Sequence, residues 1–171
     1  MDKKAIILCK SVHHQNTKQI ADAMAAELHA EVIDPDETLC PTAGDYSLLG
    51  IGSGIYYARF HRAVRDWVRR LPANAGNGHR IFLFSTSGLP FLTALYHAPL
   101  RRKLQAKGFQ VTADFSCRGR DSFAFLRWMG GLNRKHPNAK DLDRARAFAL
   151  VFTHNFSIWF APPDAFRQVA G

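Results

Sequence analysis

Apolar and polar positions fall in alternating blocks along the chain. Ala5 to Cys9 is a short continuous apolar run, the pattern of a strand buried on both faces. A polar stretch follows, and then Ile20, Met24 and Leu28 stand four apart, which predicts a helix over 17–29. Glu31–Ile33 reads as a short strand stopped by Asp34-Pro35, and a turn-rich connection runs to Tyr46. Leu48–Ser53 is the third expected strand. Val64, Trp67, Val68 and Leu71 share one face of a helix over 60–71, which Pro72 and the Asn/Gly-rich segment to Asn77 end. Ile81–Phe84 is a fully apolar fourth strand. Pro99 suits the first turn of a helix through Lys107, with Leu100 and Leu104 inward and Gly108 as the stop. Phe109–Phe115 is the fifth strand, followed by a long loop over 116–137. Asn138-Ala-Lys-Asp141 resembles a capping box and opens a helix with Leu142, Ala145, Phe148, Ala149 and Phe152 on one side.

Strands separated by helices imply an α/β fold, with a mostly parallel sheet covered on both faces and right-handed crossovers. Ligands of such sheets bind beyond the strands' carboxyl ends, where the strand order switches. A single domain is expected over 1–154. Residues 155–171, with Ile158-Trp159-Phe160 and Pro162-Pro163, read as a tail packed on the domain or at an interface such as a homodimer contact.

The 171 residues are 47% hydrophobic, which excludes a disordered chain. No apolar run approaches the roughly 20 residues of a membrane span. Met-Asp-Lys-Lys leads straight into a strand without the apolar core of a leader peptide. Cys9, Cys40 and Cys117 share no metal-type spacing, so no metal is expected and a reduced cytoplasmic setting fits. The net charge of +9 is uneven. Residues 1–57 carry 4 Lys/Arg against 8 Asp/Glu, a balance of −4, and residues 58–171 carry 19 against 6, a balance of +13. That asymmetry suits an acidic partner or a peripheral contact with an anionic membrane surface, or only a solvated basic face. No nucleic-acid partner is expected.

Four loops at strand ends carry the candidate chemistry. The first holds Ser11, His13, His14, Gln15, Asn16 and Thr17 before a helix start, where free N–H groups and the positive dipole end suit a phosphate. A Thr or Asn helix cap explains Asn16-Thr17 equally well. The second, Gly52 to Tyr57, offers Ser53, Gly54 and Ile55 for close backbone approach, and Tyr56 and Tyr57 for stacking on a planar ring or for the rim of the core. The third, Ser85, Thr86, Ser87 and Gly88, offers hydroxyls and backbone donors to a heteroaromatic edge, or is an ordinary turn. The fourth is Cys117, Arg118 and Gly119. Its thiol is either inert packing or made acidic by Arg118 and Arg120. Beyond it, Phe123, Phe125, Leu126, Trp128 and Met129 among basic residues read as a core-packing lid or an amphipathic basic segment.

The chain lacks H-E-x-x-H, CxxC, the Walker pattern, G-x-G-x-x-G after the first strand and G-x-S-x-G. A set of loops rich in donors and aromatics, without paired carboxylates, suits a cofactor that brings its own chemistry.

Ser-Val-His-His-Gln-Asn-Thr after strand one, Gly-Ser-Gly-Ile-Tyr after strand three, Phe-Ser-Thr-Ser-Gly after strand four and Cys-Arg-Gly-Arg-Asp-Ser after strand five together resemble flavodoxin-family proteins, over roughly residues 4–153. The segment from Gly52 to Val68 is also similar to menaquinone-dependent protoporphyrinogen oxidase. The resemblance implies a flavodoxin-like three-layer sandwich, a five-stranded parallel sheet of order 2-1-3-4-5, and one FMN. By carry-over Ser11 to Thr17 would hold its phosphate, Ser53 to Tyr57 and Ser85 to Gly88 would flank the isoalloxazine, and Cys117, Arg118 and Gly119 would approach the ring or ribityl chain. Gln15 stands where the family usually has glycine, and a left-handed backbone there would add strain on the order of 1 kcal/mol or more. The leading expectation is an FMN redox protein exchanging electrons with a protein partner. An FMN-dependent oxidoreductase acting on a small aromatic substrate, a quinone or porphyrinogen, and a flavin-free binding module remain open.

Overall fold

The computed structural model describes residues 4–12, 15–37, 46–119 and 136–159. The main elements are β1 (Lys4–Lys10), α1 (Asn16–Leu28), β2 (Glu31–Ile33), β3 (Tyr46–Tyr56), β4 (Arg59–Phe60), α2 (Arg62–Arg70), β5 (Arg80–Ser87), α3 (Thr93–Ala106), β6 (Gln110–Arg118) and α4 (Ala139–Trp159). The sheet runs β2-β1-β3-β5-β6, and β4 pairs antiparallel with the end of β3. Counting the five parallel strands alone, this is the expected order 2-1-3-4-5.

Helices cover both faces. On one, Ile20, Met24 and Leu28 of α1 and Ala145, Ala149 and Phe152 of α4 pack on Ile7, Cys9, Phe82, Phe84, Phe115 and Cys117. On the other, Val64, Trp67 and Val68 of α2 and Leu100 and Leu104 of α3 pack on Leu8, Leu49, Ile51, Ile81 and Leu83. The i, i+3, i+4 spacing read from the sequence is the spacing that buries these stripes. In β3, Gly50 and Gly52 lie directly opposite Phe82 and Phe84 of β5. Each ring lies across its glycine so closely that an added Cβ would collide with it.

Several boundaries differ from expectation. The segments expected as loops after strands three, four and five begin as strand: β3 extends to Tyr56, β5 to Ser87 and β6 to Arg118. Neighbouring strands supply ladder partners for these ends, antiparallel β4 for Ile55 and Tyr56 and parallel strands for the rest, down to Ser87↔Arg118. Phe60, expected in a helix, belongs to β4, because Tyr57 and Ala58 turn the chain back on β3. Pro99 lies inside α3 rather than in its first turn. The amide it lacks would have faced the carbonyl of Leu95, a residue on the exposed side of the helix. The capping box is present: Asp141 N–H donates to Asn138 Oδ1 at 3.1 Å and Asn138 N–H donates to Asp141 Oδ2 at 3.0 Å. The helix it opens continues through Asn155, where the tail was expected to begin, to Trp159. No helix among the described residues is long and apolar enough to cross a membrane.

Candidate functional site

The four loop regions meet at the carboxyl ends of the parallel strands, beside the switch in order between β1 and β3. Gln15 turns the chain into α1 with φ 53° and ψ 23°, the left-handed conformation that glycine adopts at least cost, and its side chain makes no capping hydrogen bond. Asn16 and Thr17 are the first residues of the helix rather than its caps, and both are buried. This removes the capping explanation of Asn16-Thr17: no side chain at the cap position takes the first-turn N–H groups. The Thr17 and Thr86 hydroxyls lie 2.8 Å apart, tying α1 to the end of β5. Whichever donates, the other keeps a hydrogen of its own to give. Gly119 closes the cluster, since a Cβ there would sit 3.1 Å from Thr86 and 3.2 Å from Asn16 Nδ2, and its N–H donates to Ser87 O at 3.0 Å. His13 and His14 lie outside the described residues, as do Arg120 and the aromatic segment after it. Lys10, at the end of β1, is held by Asp34 at 2.9 Å and Asp36 at 2.6 Å.

A second group surrounds the β3–β4 hairpin. Ser53 is buried and donates to Gly54 O at 2.7 Å while accepting from the His61 N–H at 2.9 Å. Its hydroxyl therefore fixes the start of α2. His61 Nδ1 caps α2 by accepting from the Ala63 N–H, which needs a neutral ring, and burial together with the charge of Lys10 holds its pKa below the ordinary value. Tyr56 folds back over Gly54 and meets His61 edge-on at 5.4 Å. Ile55 pairs with Phe60. Tyr57 and Ala58, at φ 50° and 61°, form the two-residue tip, a geometry that usually selects Asn-Gly. Tyr57 projects from it 82% exposed.

The third group was not legible in the sequence. Ser85 Oγ lies 2.8 Å from His97 Nε2, and His97 Nδ1 lies 2.8 Å from Asp114 Oδ1. Ser85 Oγ is also 3.2 Å from Ser116 Oγ, and Arg101 of α3 pairs with Asp114. Burial works against the Asp114 charge, but the His97 hydrogen bond and the charges of His97 and Arg101 outweigh it, so the carboxyl is held below its ordinary value. These distances match a Ser-His-Asp hydrolase triad. The Ser85 hydroxyl, however, is sealed from solvent and packed under α3, so no substrate carbonyl can reach it. The signal was a buried histidine beside the Leu100–Leu104 stripe and an acid within β6. A bulge at Thr112 hid it, because it reverses which face the following residues of β6 take.

Cys117 faces the core, and burial, with Asp141 adding to it, pushes its thiol up to about 12. The acidified thiol considered from the neighbouring arginines is thereby corrected, and only the Cys117 backbone can reach a ligand beyond the sheet. Arg118 is exposed at the end of β6, and Ser87 Oγ is buried with no hydrogen-bond partner among the described residues.

No family model matches the chain. Over 152 residues it is 38% identical to the Uncharacterized protein MJ0298 of Methanocaldococcus jannaschii, covering 89% of this chain and 99% of that protein. Among solved structures, a flavodoxin from the domain Archaea superposes with TM-score 0.60 at 15% identity, covering 89% of this chain and 97% of the other. Oxidised flavodoxin 2 from Bacillus cereus gives 0.61 at 17% identity, covering 89% and 99%. The rubredoxin oxygen:oxidoreductase of Desulfovibrio gigas gives 0.67 at 13% identity, with 93% of this chain on 37% of that one. The chain thus has the flavodoxin-like fold and belongs to the family of the M. jannaschii protein MJ0298.

Proposed function

We propose that this chain is an FMN-binding redox protein that exchanges electrons with a protein partner. The observation that carries the reading is the convergence of the α1 start, Thr17, Thr86 and Gly119 on one cluster at the strand ends. The groups present suit a flavin mononucleotide. The start of α1, where the Gln15 side chain makes no capping hydrogen bond, and the spare hydrogen of the Thr17–Thr86 pair suit a phosphate. Gly119 keeps the cradle open where a side chain would fill it, and the Ser87 hydroxyl, without a partner among the described residues, can serve a polar ring edge. Ser53 and Ser85 act from behind, holding the strand ends in place. Bound FMN would supply one- and two-electron transfer, and the chain would orient the ring and limit its contact with water. The archaeal and Bacillus flavodoxins on the same fold support this choice of cofactor.

The test is direct. Titration of FMN into the purified chain should quench flavin fluorescence to a one-to-one end point, and Thr17→Val with Thr86→Val should weaken it. A wild-type chain that shows no saturable quenching removes the proposal and leaves a flavin-free binding module. One observation favours a second reading, an oxidoreductase for a small aromatic substrate. Tyr57, Leu89 and Phe91 are 82%, 45% and 78% exposed in the segments that follow β3 and β5. Turnover of quinones with NAD(P)H by the loaded protein would favour it over a carrier.

A further inference from the structure

The chain Asp114–His97–Ser85–Ser116 is one continuous line of hydrogen bonds beneath the end of β5. His97 is 1% exposed and Ser85 fully buried, whereas the Asp114 side chain is 31% exposed and Ser116 is partly exposed. The line therefore starts and ends near solvent and is dry in the middle. The two links made by Ser85 can each run in two directions, while the Asp114 carboxylate only accepts. With a neutral ring, His97 Nδ1–H donates to Asp114, and Ser85 donates to Nε2 while accepting from Ser116. With a proton added at Nε2, the ring donates to both neighbours and Ser85 turns to donate to Ser116. Both patterns satisfy every buried group, so the ring can change charge without leaving a polar atom unpaired.

Groups from four elements face the ring. Asp114 of β6 faces Nδ1, Arg101 of α3 offsets part of that carboxylate, Ser85 of β5 faces Nε2, and the uncharged Phe60 of β4 packs edge-on at 4.9 Å. Ser85 precedes Thr86 on the same strand, and the Thr86 hydroxyl meets that of Thr17 in the cluster proposed to hold the phosphate. One peptide separates the line from the proposed cofactor site.

We propose that His97 is a redox-linked proton site, taking up one proton when the cofactor held at the end of β5 takes up one electron. The inference rests on the FMN reading above. The electron comes from a one-electron reductant and stays on the flavin, and the proton comes from water. Ser85 gives its hydroxyl hydrogen to Nε2, takes that of Ser116, and Ser116 is reprotonated from solvent. One N–H bond forms, the hydroxyls are restored, and the positive charge on His97 balances the negative charge gained by the flavin. His97 acts through charge and Ser85, so it is a positioning residue rather than a catalytic one.

Potentiometric titration of FMN-loaded wild type between about pH 5 and 9, spanning the ordinary histidine range, should show an added fall of up to about 59 mV per pH unit, the value for one proton per electron. His97→Gln should lose that added slope. In ring-nitrogen NMR of histidine-labelled protein at fixed pH, reduction should move the His97 ring signals toward the protonated form. Should His97→Gln fail to fold, the isosteric Asp114→Asn carries the test, because removing the carboxylate should move the break in slope to lower pH. Equal slopes in wild type and His97→Gln, a break that Asp114→Asn leaves in place, or His97 ring signals indifferent to redox state overturn the proton coupling alone. A wild-type chain that binds no FMN overturns the coupling together with the reading it rests on.

Discussion

Replacing Gly52 with alanine tests how the centre of the sheet is packed. A Cβ at this position would lie inside 3.0 Å of three atoms of the Phe84 ring, the residue directly opposite on β5. Phe84 is fully buried beside Phe82 at a ring separation of 6.1 Å, so it cannot swing into solvent. Overpacking of this kind costs about 1–3 kcal/mol, and disturbing an aromatic pair adds about 0.5–1.5 kcal/mol. We therefore expect Gly52→Ala to cost about 2–4 kcal/mol, a large share of a stability of roughly 5–15 kcal/mol. Urea unfolding followed by circular dichroism should show the midpoint lowered by about 1–2 M for a slope near 2 kcal/mol/M. In a Phe84→Leu background the branched side chain leaves room for the methyl, and Gly52→Ala should then cost less than about 1 kcal/mol. Coupling in this double-mutant cycle should exceed about 1 kcal/mol. Additivity within roughly 0.5 kcal/mol would refute the contact.

Gln15→Gly should relieve the left-handed turn, and after the added freedom of the unfolded chain is subtracted, the net gain should be about 0.5–1 kcal/mol by denaturant midpoint, with Gln15→Ala giving none. Cys9 and Cys117, both pushed up to about 12 by burial, should resist disulfide-exchange reagents at neutral pH in a Cys40→Ser background and react only on unfolding; rapid native labelling would contradict their packing. His61 has a lowered pKa in the folded state, so its capping contribution is complete above the ordinary histidine value of 6.5 and is lost as pH falls through the folded one. Stability measured against pH should therefore drop more across this range in wild type than in His61→Asn, whose amide oxygen caps without titrating.

Periodicity and caps reported the helices well because burial of α1, α2 and α4 follows one stripe each, and because the Asn138–Asp141 box is local. Strand ends were harder to read. Ser85-Thr86-Ser87 looks like a loop because it is polar, yet it is strand: Ser85 and Thr86 are paired on both sides, and their hydroxyls bond to His97 and Thr17. Loop chemistry gathered the candidates at one end of the sheet, but polarity alone did not say which hydroxyls face outward. His97 and Asp114 lie seventeen residues apart. Only the packing of α3 on β6, after a bulge, brings them together.

The alternation of β5 places Thr86 and Ser85 on opposite faces of the sheet, each joined to a different helix layer. Their side-chain networks share a backbone but no side-chain contact. The proposed grip on an anion and the proposed proton chemistry of the buried histidine can therefore diverge separately among descendants of this chain. Substitutions around Thr17 retune one without rewriting the other, and only a change that moves the strand itself must answer to both.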